Sequence, residues 1–381
     1  MKKKFAIIGA GIGGLILANL LQNNSNFQFI IYEKNETLNL EEGFGIQLAV
    51  NSVSILNQIG FNSLNKTEIF NPTKLDFYSN KDKICDLDLT KFNNDTEKYT
   101  TLKRSSLIKF LKDKLFSNLI RFNKIIEKIE QNQNTIKINF KDGSIDEVDY
   151  LVVSDGVFSG TKSIIEKKNY KPNYYEALAV RSLVDKEEVK DFNKNNISLL
   201  MSSNAHMVLY PVNEREYNLV TIVRSKIKDF EKIKNLDFIK TILKSTILKN
   251  NNSLTSLFNG DLTCWPIYTS EKPIVSKFKN VFYLGDAFYT FSPTMAQGAS
   301  QSIEGAMELF QIFEKDTNDK ENLYFSNRLN RTEIIDKRSN FNYFVFHFAN
   351  RLFSGFRNIV LKKLISNEKF IESYLGRVFR K

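Results

Sequence analysis

The chain has 381 residues, of which 42% are hydrophobic, 13% aromatic and 25% charged, and its formal net charge at pH 7 is +11. This composition is typical of a folded protein with about two or three domains, and it excludes disordered, collagen-like and disulfide-rich chains. Because the basic residues are interspersed with acidic ones and form no stacking platform, the charge indicates a lysine-rich surface and predicts no nucleic-acid binding.

The cysteines and histidines are too few and too scattered to predict a metal site. Cys85 and Cys264 lie far apart, and His206 and His347 do not join them at metal-ligand spacing. We therefore expect no metal and no disulfide, which fits the reducing cytoplasm. Glycines interrupt the apolar N-terminal run, so it is not expected to be a secretory signal, and no stretch reaches the ~18 apolar residues of a membrane span.

The first motif along the chain is a glycine-rich turn between a strand and a helix. Residues 5–8 have the apolar pattern of a buried strand, and Gly9, Gly11 and Gly14 follow it directly before a helical pattern at 15–21. Gly9 permits a tight turn, Gly11 lets the backbone approach a pyrophosphate, and Gly14 lets helix and strand pack closely. The order predicts a dinucleotide whose phosphates lie at a helix N-terminus.

The acidic residue after the second strand narrows the choice of dinucleotide. A strand pattern at residues 27–32 ends before Glu33, which follows Gly14 by about 20 residues, the spacing at which an acid binds the adenosine ribose. An acid there favours FAD or NAD over NADP. A nicotinamide dehydrogenase would continue with further strand and helix units, and residues 35–100 show little of that alternation.

Two later strand patterns end in polar turns. A hairpin pattern, with strands at 135–140 and 148–153, leads into Asp155-Gly156. A strand pattern at 280–284 leads into Gly285-Asp286-Ala287, and Pro293 and Gln297-Gly298-Ala299 follow. Ligands in open α/β sheets bind at the carboxyl ends of the strands, so these turns are candidate parts of the nucleotide site.

With these motifs, the chain resembles the group A flavoprotein monooxygenases, the para-hydroxybenzoate hydroxylase and salicylate hydroxylase-like superfamily. Four signatures occur in the order of that family over residues 5–309. They are the glycine motif with Glu33, a helix start at Arg104-x-x-Leu107-x-x-x-Leu111, the Asp155-Gly156 turn, and Gly285-Asp286-Ala287 with its following loop.

The resemblance implies an α/β fold in which a Rossmann-like FAD-binding domain carries an inserted antiparallel-sheet substrate domain and a C-terminal helical segment. Strand patterns at residues 74–78 and at several places within 176–268 agree with the inserted sheet. We expect a discontinuous FAD-binding domain at 1–72, 96–175 and 269–338, a substrate domain at 73–95 and 176–268, and a helical tail at 339–381.

The resemblance also implies which residues bind FAD. Glu33 would bind the adenosine ribose, Arg104 a phosphate or the flavin side, and Asp286 the ribityl hydroxyls. The loop at 293–299 would lead backbone amides to the isoalloxazine, and Gly45 and Gln47 belong to a stretch, starting at Gly43, that resembles the family's loop past the flavin. The predicted cofactor-binding set is Gly9, Gly11, Gly14, Glu33, Lys34, Gln47, Arg104, Asp155, Gly156, Gly285, Asp286, Pro293, Gln297, Gly298 and Ala299.

Three positions depart from the common family pattern. Phe288-Tyr289 replaces Ala-His, Glu304-Gly305 replaces Glu-Asp, and Lys162 stands where Arg often occurs. The flavin makes the oxidant, so none of the three removes a group that does the chemistry. Tyr289 in place of His puts in doubt any transfer of the family's pH behaviour, because a hydroxyl replaces a group that titrates near neutral pH.

The implied function is FAD-dependent hydroxylation of an aromatic or other electron-rich small molecule with NAD(P)H and O2, through a flavin C4a-hydroperoxide. NAD(P)H would visit transiently as co-substrate, because no second nucleotide-binding unit is visible. The flavin does the chemistry, so no side chain is assigned with certainty as catalytic. Arg181 could orient a carboxylate or phenolate or form a salt bridge, Tyr289 could lie beside the flavin, and His206 is expected to be structural rather than a base.

Alternatives to a cytoplasmic hydroxylase stay open. The chain could be a quinone-pathway hydroxylase at the inner membrane surface, or a flavoprotein that has lost oxygenation and acts as a binding or assembly factor. Within residues 339–381, basic residues lie near apolar ones at helical spacing, namely Phe341, Phe344, Phe348, Leu352, Phe356 and Ile359. This tail could pack on its own domain, contact a second subunit in a homodimer, or lie on a membrane surface.

Overall fold

The computed structural model describes residues 2–38, 40, 44–116, 118–348 and 351–380. In chain order, the strands are β1 (Lys3–Ile8), β2 (Phe27–Tyr32), β3 (Gly45–Leu48), β4 (Ile69–Phe70), β5 (Lys74–Ser79), β6 (Asp82–Asp88), β7 (Thr100–Lys103), β8 (Ile120–Arg121), β9 (Ile126–Asn132), β10 (Thr135–Phe140), β11 (Ile145–Val148), β12 (Tyr150–Val153), β13 (Asn173–Asp185), β14 (Ile197–Ser202), β15 (Ala205–Pro211), β16 (Glu216–Arg224), β17 (Thr263–Thr269) and β18 (Val281–Tyr283).

The α-helices are α1 (Ile12–Leu21), α2 (Val50–Asn57), α3 (Arg104–Asp113), α4 (Gly160–Glu166), α5 (Phe230–Lys234), α6 (Leu236–Ser245), α7 (Gly298–Glu314), α8 (Lys320–Phe346), α9 (Arg351–Ile365), α10 (Glu368–Ile371) and α11 (Arg377–Phe379). Two short 3-10 turns matter for the site, at Gly285–Ala287 and Pro293–Met295. None of the helices in the described ranges is both long and apolar enough to cross a bilayer.

A parallel sheet with the order β18-β12-β1-β2-β8 forms the centre of one part of the fold. Its strands are short apolar runs because helices such as α1 and α7 and the sheet β11-β10-β9 enclose them in one hydrophobic core. The glycine-rich turn joins β1 to α1, and β2 ends directly before Glu33. This strand, turn, helix and strand order confirms the predicted Rossmann-like unit.

The second sheet has the order β17-β13-β16-β15-β14-β5-β6. Its pairs are antiparallel, as predicted, except for β14 with β5, which is parallel. One face of this sheet packs with helix α6 in a separate core. The other face of the sheet meets the C-terminal helices. The sequence reading missed β14, because all its side chains are buried and it lacks the alternation of a half-exposed strand.

The predicted strand at residues 148–153 is wrong, because the chain changes sheets at Asp149. Strand β11 pairs with β10 and ends at Val148, whereas β12 pairs with β1 from Tyr150 onward. Between them, the Asp149 carboxylate accepts a 2.7 Å hydrogen bond from the backbone N–H of Lys4. Both β11 and β12 bury apolar side chains, so the sequence pattern alone indicated one continuous strand.

The helical spacing predicted over residues 341–359 is interrupted, since α8 ends at Phe346 and α9 begins at Arg351. The side chain of Leu352, one of the predicted apolar positions, lies outside the described residues. Helix α9 packs against β6, and the end of the chain returns to α2. The tail therefore folds over the second sheet of its own chain.

A buried ionic cluster fixes the C-terminal helices to the part of the fold around the parallel sheet. Glu304 on α7 is 2% exposed, and both its oxygens accept hydrogen bonds of 2.8 Å from Arg331 on α8. Arg328, also 2% exposed, lies 3.5 Å from the same carboxylate. Arg331 additionally donates to the carbonyl oxygen of Val378, 2.8 Å away. Glu308 on the same helix also lies 3.5 Å from Arg328, so two carboxylates face the two arginines. The cluster connects α7, α8 and the end of the chain.

Replacing Glu304 with alanine should destabilise the protein by about 3–5 kcal/mol, because Arg331 would lose its counter-charge and the buried Arg328 would keep only Glu308. The measurement is the free energy of unfolding from urea titration. Glu314→Ala, at an exposed position on the same helix, is the matched control and should change it by no more than about 0.5 kcal/mol. An equal loss of unfolding free energy in the two variants would show that the cluster does not stabilise the fold.

Candidate functional site

The glycine turn between β1 and α1 leaves an open concavity at the helix N-terminus. Gly9 has a φ of +97°, and an added Cβ on Gly14 would overlap the carbonyl oxygen of Gly9. Around Gly11, in contrast, an added Cβ would meet nothing within 4 Å. Two glycines are therefore required by the fold itself, whereas Gly11 faces open space. The N–H groups of the first helical turn have no partner within their own helix, which makes that space suitable for a pyrophosphate.

Glu33 lies beside this turn. One carboxylate oxygen accepts a 2.9 Å hydrogen bond from the backbone N–H of Ala10. The other oxygen accepts a 3.0 Å hydrogen bond from the backbone N–H of Asn35. Since each carboxylate oxygen has two lone pairs, the fixed side chain can still accept from ribose hydroxyls. The neighbouring Lys34 is exposed.

A second acidic group, Asp155, follows the end of β12 at the same edge of the sheet. The Asp155 oxygen Oδ2 accepts from the backbone N–H of Thr161 at 3.2 Å, while its Oδ1 is buried without a hydrogen-bond partner in the described part of the chain. Gly156 follows with a φ of +86°, and a Cβ there would meet nothing within 4 Å. A buried acceptor without a donor, next to open space, fits a bound polar ligand.

The turn after β18 brings Asp286 towards Arg104, the first residue of α3. Asp286 is an exposed residue, yet the protein around it raises the pKa of its carboxyl to about 6 by desolvation. The positive charge of Arg104 acts in the opposite direction on this pKa. The backbone N–H of Arg104 donates to the carbonyl oxygen of Phe44, 2.9 Å away, which joins this corner to β3.

The loop at 293–299 forms the N-terminal end of α7. Pro293 opens a 3-10 turn, Ala296 has a φ of +52°, and the buried Gln297 occupies the residue before the helix. A Cβ on Gly298 would meet nothing within 4 Å, so the first turn of α7 is open to a ligand. The positive end of the helix dipole favours a polar or anionic group there.

Most of the predicted cofactor residues therefore line one continuous edge, and two predicted residues do not join it. Tyr289 lies instead beside Asp336 of α8, and burial and that carboxylate raise its pKa to about 12. Lys34 points into solvent. Gly43, in the stretch that resembles the flavin loop, lies outside the described residues.

The other departures from the family pattern have structural explanations. The Nζ of Lys162 donates to the carbonyl oxygen of Ala287 at 3.2 Å, so it ties α4 to the turn that carries Asp286. A Cβ at Gly305 would lie 3.2 Å from the hydroxyl of Tyr324. The absence of a side chain at Gly305 thus permits close packing of α7 against α8.

A cavity of about 740 Å³ lies between the loop at 293–299, the second sheet and the C-terminal helices. Arg181 on β13 lines it, with its guanidinium 5.7 Å from the ring centre of Phe44. Gln47 on β3 also lines it and accepts a 2.8 Å hydrogen bond from the hydroxyl of Tyr99. The cavity has the size of a small-molecule site and adjoins the candidate cofactor edge.

Sequence reasoning missed a histidine pair at this cavity. The Nδ1 of His206 lies 2.7 Å from the Nε2 of His347, although the two residues are far apart in the chain. Burial lowers the pKa of both histidines well below the ordinary value of a histidine, which favours neutral rings. No group of three or more His, Cys, Asp or Glu among the described residues is placed to hold a metal ion.

Comparisons with known proteins agree with this geometry. A family model described as "FAD binding domain" matches residues 2–322. The 6-hydroxynicotinate 3-monooxygenase of Bordetella bronchiseptica is 24% identical over 90% of this chain and 91% of its own length. The 3-amino-4-hydroxybenzoate 2-monooxygenase of Streptomyces cremeus is 23% identical over 88% of this chain and 86% of its own.

Solved structures share the whole fold. Klebsiella pneumoniae HpxO, complexed with FAD and uric acid, has a TM-score of 0.84 at 18% identity and covers 99% of this chain and 96% of its own. A salicylate hydroxylase substrate complex has a TM-score of 0.80 at 17% identity and covers 100% and 96%. The fold class read from the sequence is thereby confirmed.

Alanine at Gly11 and at Gly14 should have different effects. Gly11→Ala should leave the thermal stability of the FAD-free protein unchanged but weaken FAD binding at least tenfold, because its Cβ would enter the open concavity. Gly14→Ala should lower the stability of the FAD-free protein itself, because its Cβ would overlap the Gly9 carbonyl. Two measurements on the FAD-free protein distinguish these effects. Fluorescence titration with FAD gives the affinity, and thermal unfolding gives the stability. Unchanged FAD affinity in Gly11→Ala would contradict the site.

Asp286 should make the FAD-free protein less stable as the pH rises. Its folded-state pKa of about 6 exceeds the ordinary 3.8, so the folded state binds more protons between these values and stability falls across that window. Asp286→Asn should therefore raise the melting temperature of the FAD-free protein, with a gain that grows from pH 4 to about pH 6 and then levels. A gain independent of pH would contradict the raised pKa.

Proposed function

The chain belongs to the FAD binding domain family, and on this premise we propose that it is a FAD-dependent monooxygenase that hydroxylates an aromatic small molecule with NAD(P)H and O2. Its resemblance to the group A flavoprotein monooxygenases is confirmed, and so is FAD as its cofactor. The observation that carries the proposal is a cavity that joins the candidate flavin loop at 293–299 to Arg181 on the second sheet.

We propose that the residues at the parallel-sheet edge would hold FAD. The first turn of α1 binds the pyrophosphate, Glu33 the adenosine ribose, and Asp286 with Asp155 the polar groups between adenosine and flavin. The loop at 293–299 and the first turn of α7 then face the isoalloxazine. Bound FAD, once reduced, supplies the activation of O2 that this reaction needs.

Arg181 is proposed to orient the aromatic substrate. It is the cationic side chain of β13 in the cavity, next to Phe44 and Tyr210, and a guanidinium matches a carboxylate or phenolate. The named substrates of two relatives, 6-hydroxynicotinate and 3-amino-4-hydroxybenzoate, carry such groups. The C-terminal helices cover the cavity and limit access of water to the reacting ring.

The proposal gives NAD(P)H a transient role. We assign the glycine turn at β1 to FAD, so the nicotinamide nucleotide would bind briefly at the surface near the flavin. Cytoplasmic localisation, a homodimer and a peripheral membrane contact through residues 339–381 stay predictions. Phe356 and Ile359 on α9 are strongly exposed, and either a second subunit or a lipid surface would cover them.

The visible spectrum of the purified protein is the first test. A bound flavin, followed by NADH or NADPH oxidation that 6-hydroxynicotinate, salicylate or a related phenol accelerates with a hydroxylated product, would support the proposal. A colourless protein that cannot be reconstituted with FAD would overturn it. A yellow protein that no nicotinamide nucleotide reduces would favour the alternative of a binding or assembly factor.

Arg181→Gln should raise the KM of an anionic aromatic substrate about 10- to 100-fold, which corresponds to the loss of a charge-assisted hydrogen bond of about 1.5–3 kcal/mol. The measurement is the KM from steady-state NAD(P)H oxidation. An uncharged phenol of the same ring size is the control, and its KM should change much less. An equal rise for both compounds would place the effect in the fold rather than in charge recognition.

A further inference from the structure

The floor of the cavity is a face of the second sheet on which polar and apolar residues are separated. Arg181 and Asn218 lie at one side, on β13 and β16, and Tyr210 and His206 follow on β15. Towards the other side, the residues that line the cavity are entirely apolar on three neighbouring strands, namely Ile197 and Leu199 on β14, Leu75 and Phe77 on β5, and Leu87 on β6.

The register of the strands gives the length of this floor. Arg181 pairs with Val220, which pairs with Val208, and the row continues through Leu199 to Phe77. The row crosses four spacings between neighbouring strands of about 4.8 Å each, so it is about 19 Å long. A single aromatic ring would occupy only the part near Arg181.

The polar side of the floor is also the side next to the candidate flavin site. A Cβ at Gly45 of β3 would lie 2.6 Å from the Asn218 side chain and 2.8 Å from the Tyr210 ring. The Gly45 N–H donates to the Asn218 side-chain oxygen at 2.7 Å. A ring bound by Arg181 would therefore lie beside β3, with the apolar strands β14, β5 and β6 at the far side of the floor.

The roof and the mouth of the cavity repeat this apolar character. Leu361 and Leu364 of α9 line the cavity above the floor. Phe341 and Phe344 of α8 and Phe356 of α9 line it as well, yet each is more than half exposed, so they form an apolar rim. Large side chains of this kind are rarely left exposed together without a function.

Arg357 is a cation in the same region, but its guanidinium is already engaged. It donates to the Ser79 hydroxyl at 3.0 Å and to the Asn358 side-chain oxygen at 2.8 Å. Burial lowers its pKa. Its aliphatic part thus contributes to the wall, and the charged end is held by protein groups.

We propose that the substrate is an amphiphilic aromatic compound: a ring with a carboxylate or phenolic hydroxyl, carrying a long alkyl or isoprenoid substituent. The inference rests on the proposed function and deepens it. The ring binds near Arg181 and β3, and the apolar chain lies along β14, β5 and β6 under α9. A small polar substrate would leave these apolar walls without contacts, whereas a chain buried there gains about 0.8 kcal/mol for each methylene.

Ligand binding to the holoenzyme tests this class independently of turnover. Salicylates with a methyl, pentyl or nonyl group at position 6 are titrated below their critical micelle concentrations, and the Kd is read from the change in flavin absorbance. We expect the Kd to fall about fourfold per added methylene, the equivalent of ~0.8 kcal/mol each. A Kd that is flat or rises with chain length would overturn the proposal.

A variant separates this effect from unspecific adsorption. Leu75→Trp should fill the apolar end and flatten the dependence of Kd on chain length, because Leu75 lines the cavity on β5. Lys74→Trp, one residue earlier and exposed on the opposite face of the strand, is the matched control and should keep the steep dependence. If both variants keep it, the chain does not bind at this end and the proposal fails.

The two proposals can fail separately. Rapid hydroxylation of salicylate or 6-hydroxynicotinate without any chain-length effect would keep the monooxygenase and overturn the substrate class. A steep chain-length effect that Leu75→Trp removes, in a protein whose flavin NAD(P)H does not reduce, would support the cavity assignment and overturn the proposed reaction.

Discussion

The structure depends most on the burial of the Glu304 carboxylate at the centre of α7. A buried charge must be paired, and here its partners are Arg328 and Arg331 of α8, while Arg331 also holds the carbonyl oxygen of Val378 at the end of the chain. Helix α7 begins at the candidate flavin loop and α8 leads to the roof of the cavity. One electrostatic requirement therefore fixes the cofactor loop, the roof and the end of the chain relative to one another.

The cofactor edge follows from a different constraint, the convergence of strand ends in a parallel sheet. Strands β1, β2, β12 and β18 all end at the same edge, and each is followed by a motif residue, in the order Gly9, Glu33, Asp155 and Asp286. Residues far apart in the chain thus meet without any contact between their side chains. This is why local motifs, read one at a time, predict one extended site.

The same reasoning explains what the sequence could not predict. The glycine turn and Glu33 are determined by a few neighbouring residues, so their placement follows from spacing. The pairing of His206 with His347 and the position of Tyr289 beside Asp336 depend on how α8 packs, which no local pattern records. The strand break at Asp149 was also hidden, because the buried apolar residues Val148 and 151–153 lie on both sides of it, as they would in one strand.

The cofactor edge and the substrate cavity therefore differ in how much the sequence constrains them. Gly9, Gly14 and Glu33 are fixed by backbone geometry and by hydrogen bonds to the turn, so substitutions there act on any ligand alike. The cavity wall on β14, β5 and α9 consists of apolar side chains that exchange for others of similar volume at little cost. Substitutions in this wall can thus change the choice of substrate while the cofactor edge stays the same. The length of the apolar floor, rather than any sequence motif, is the feature that determines this choice.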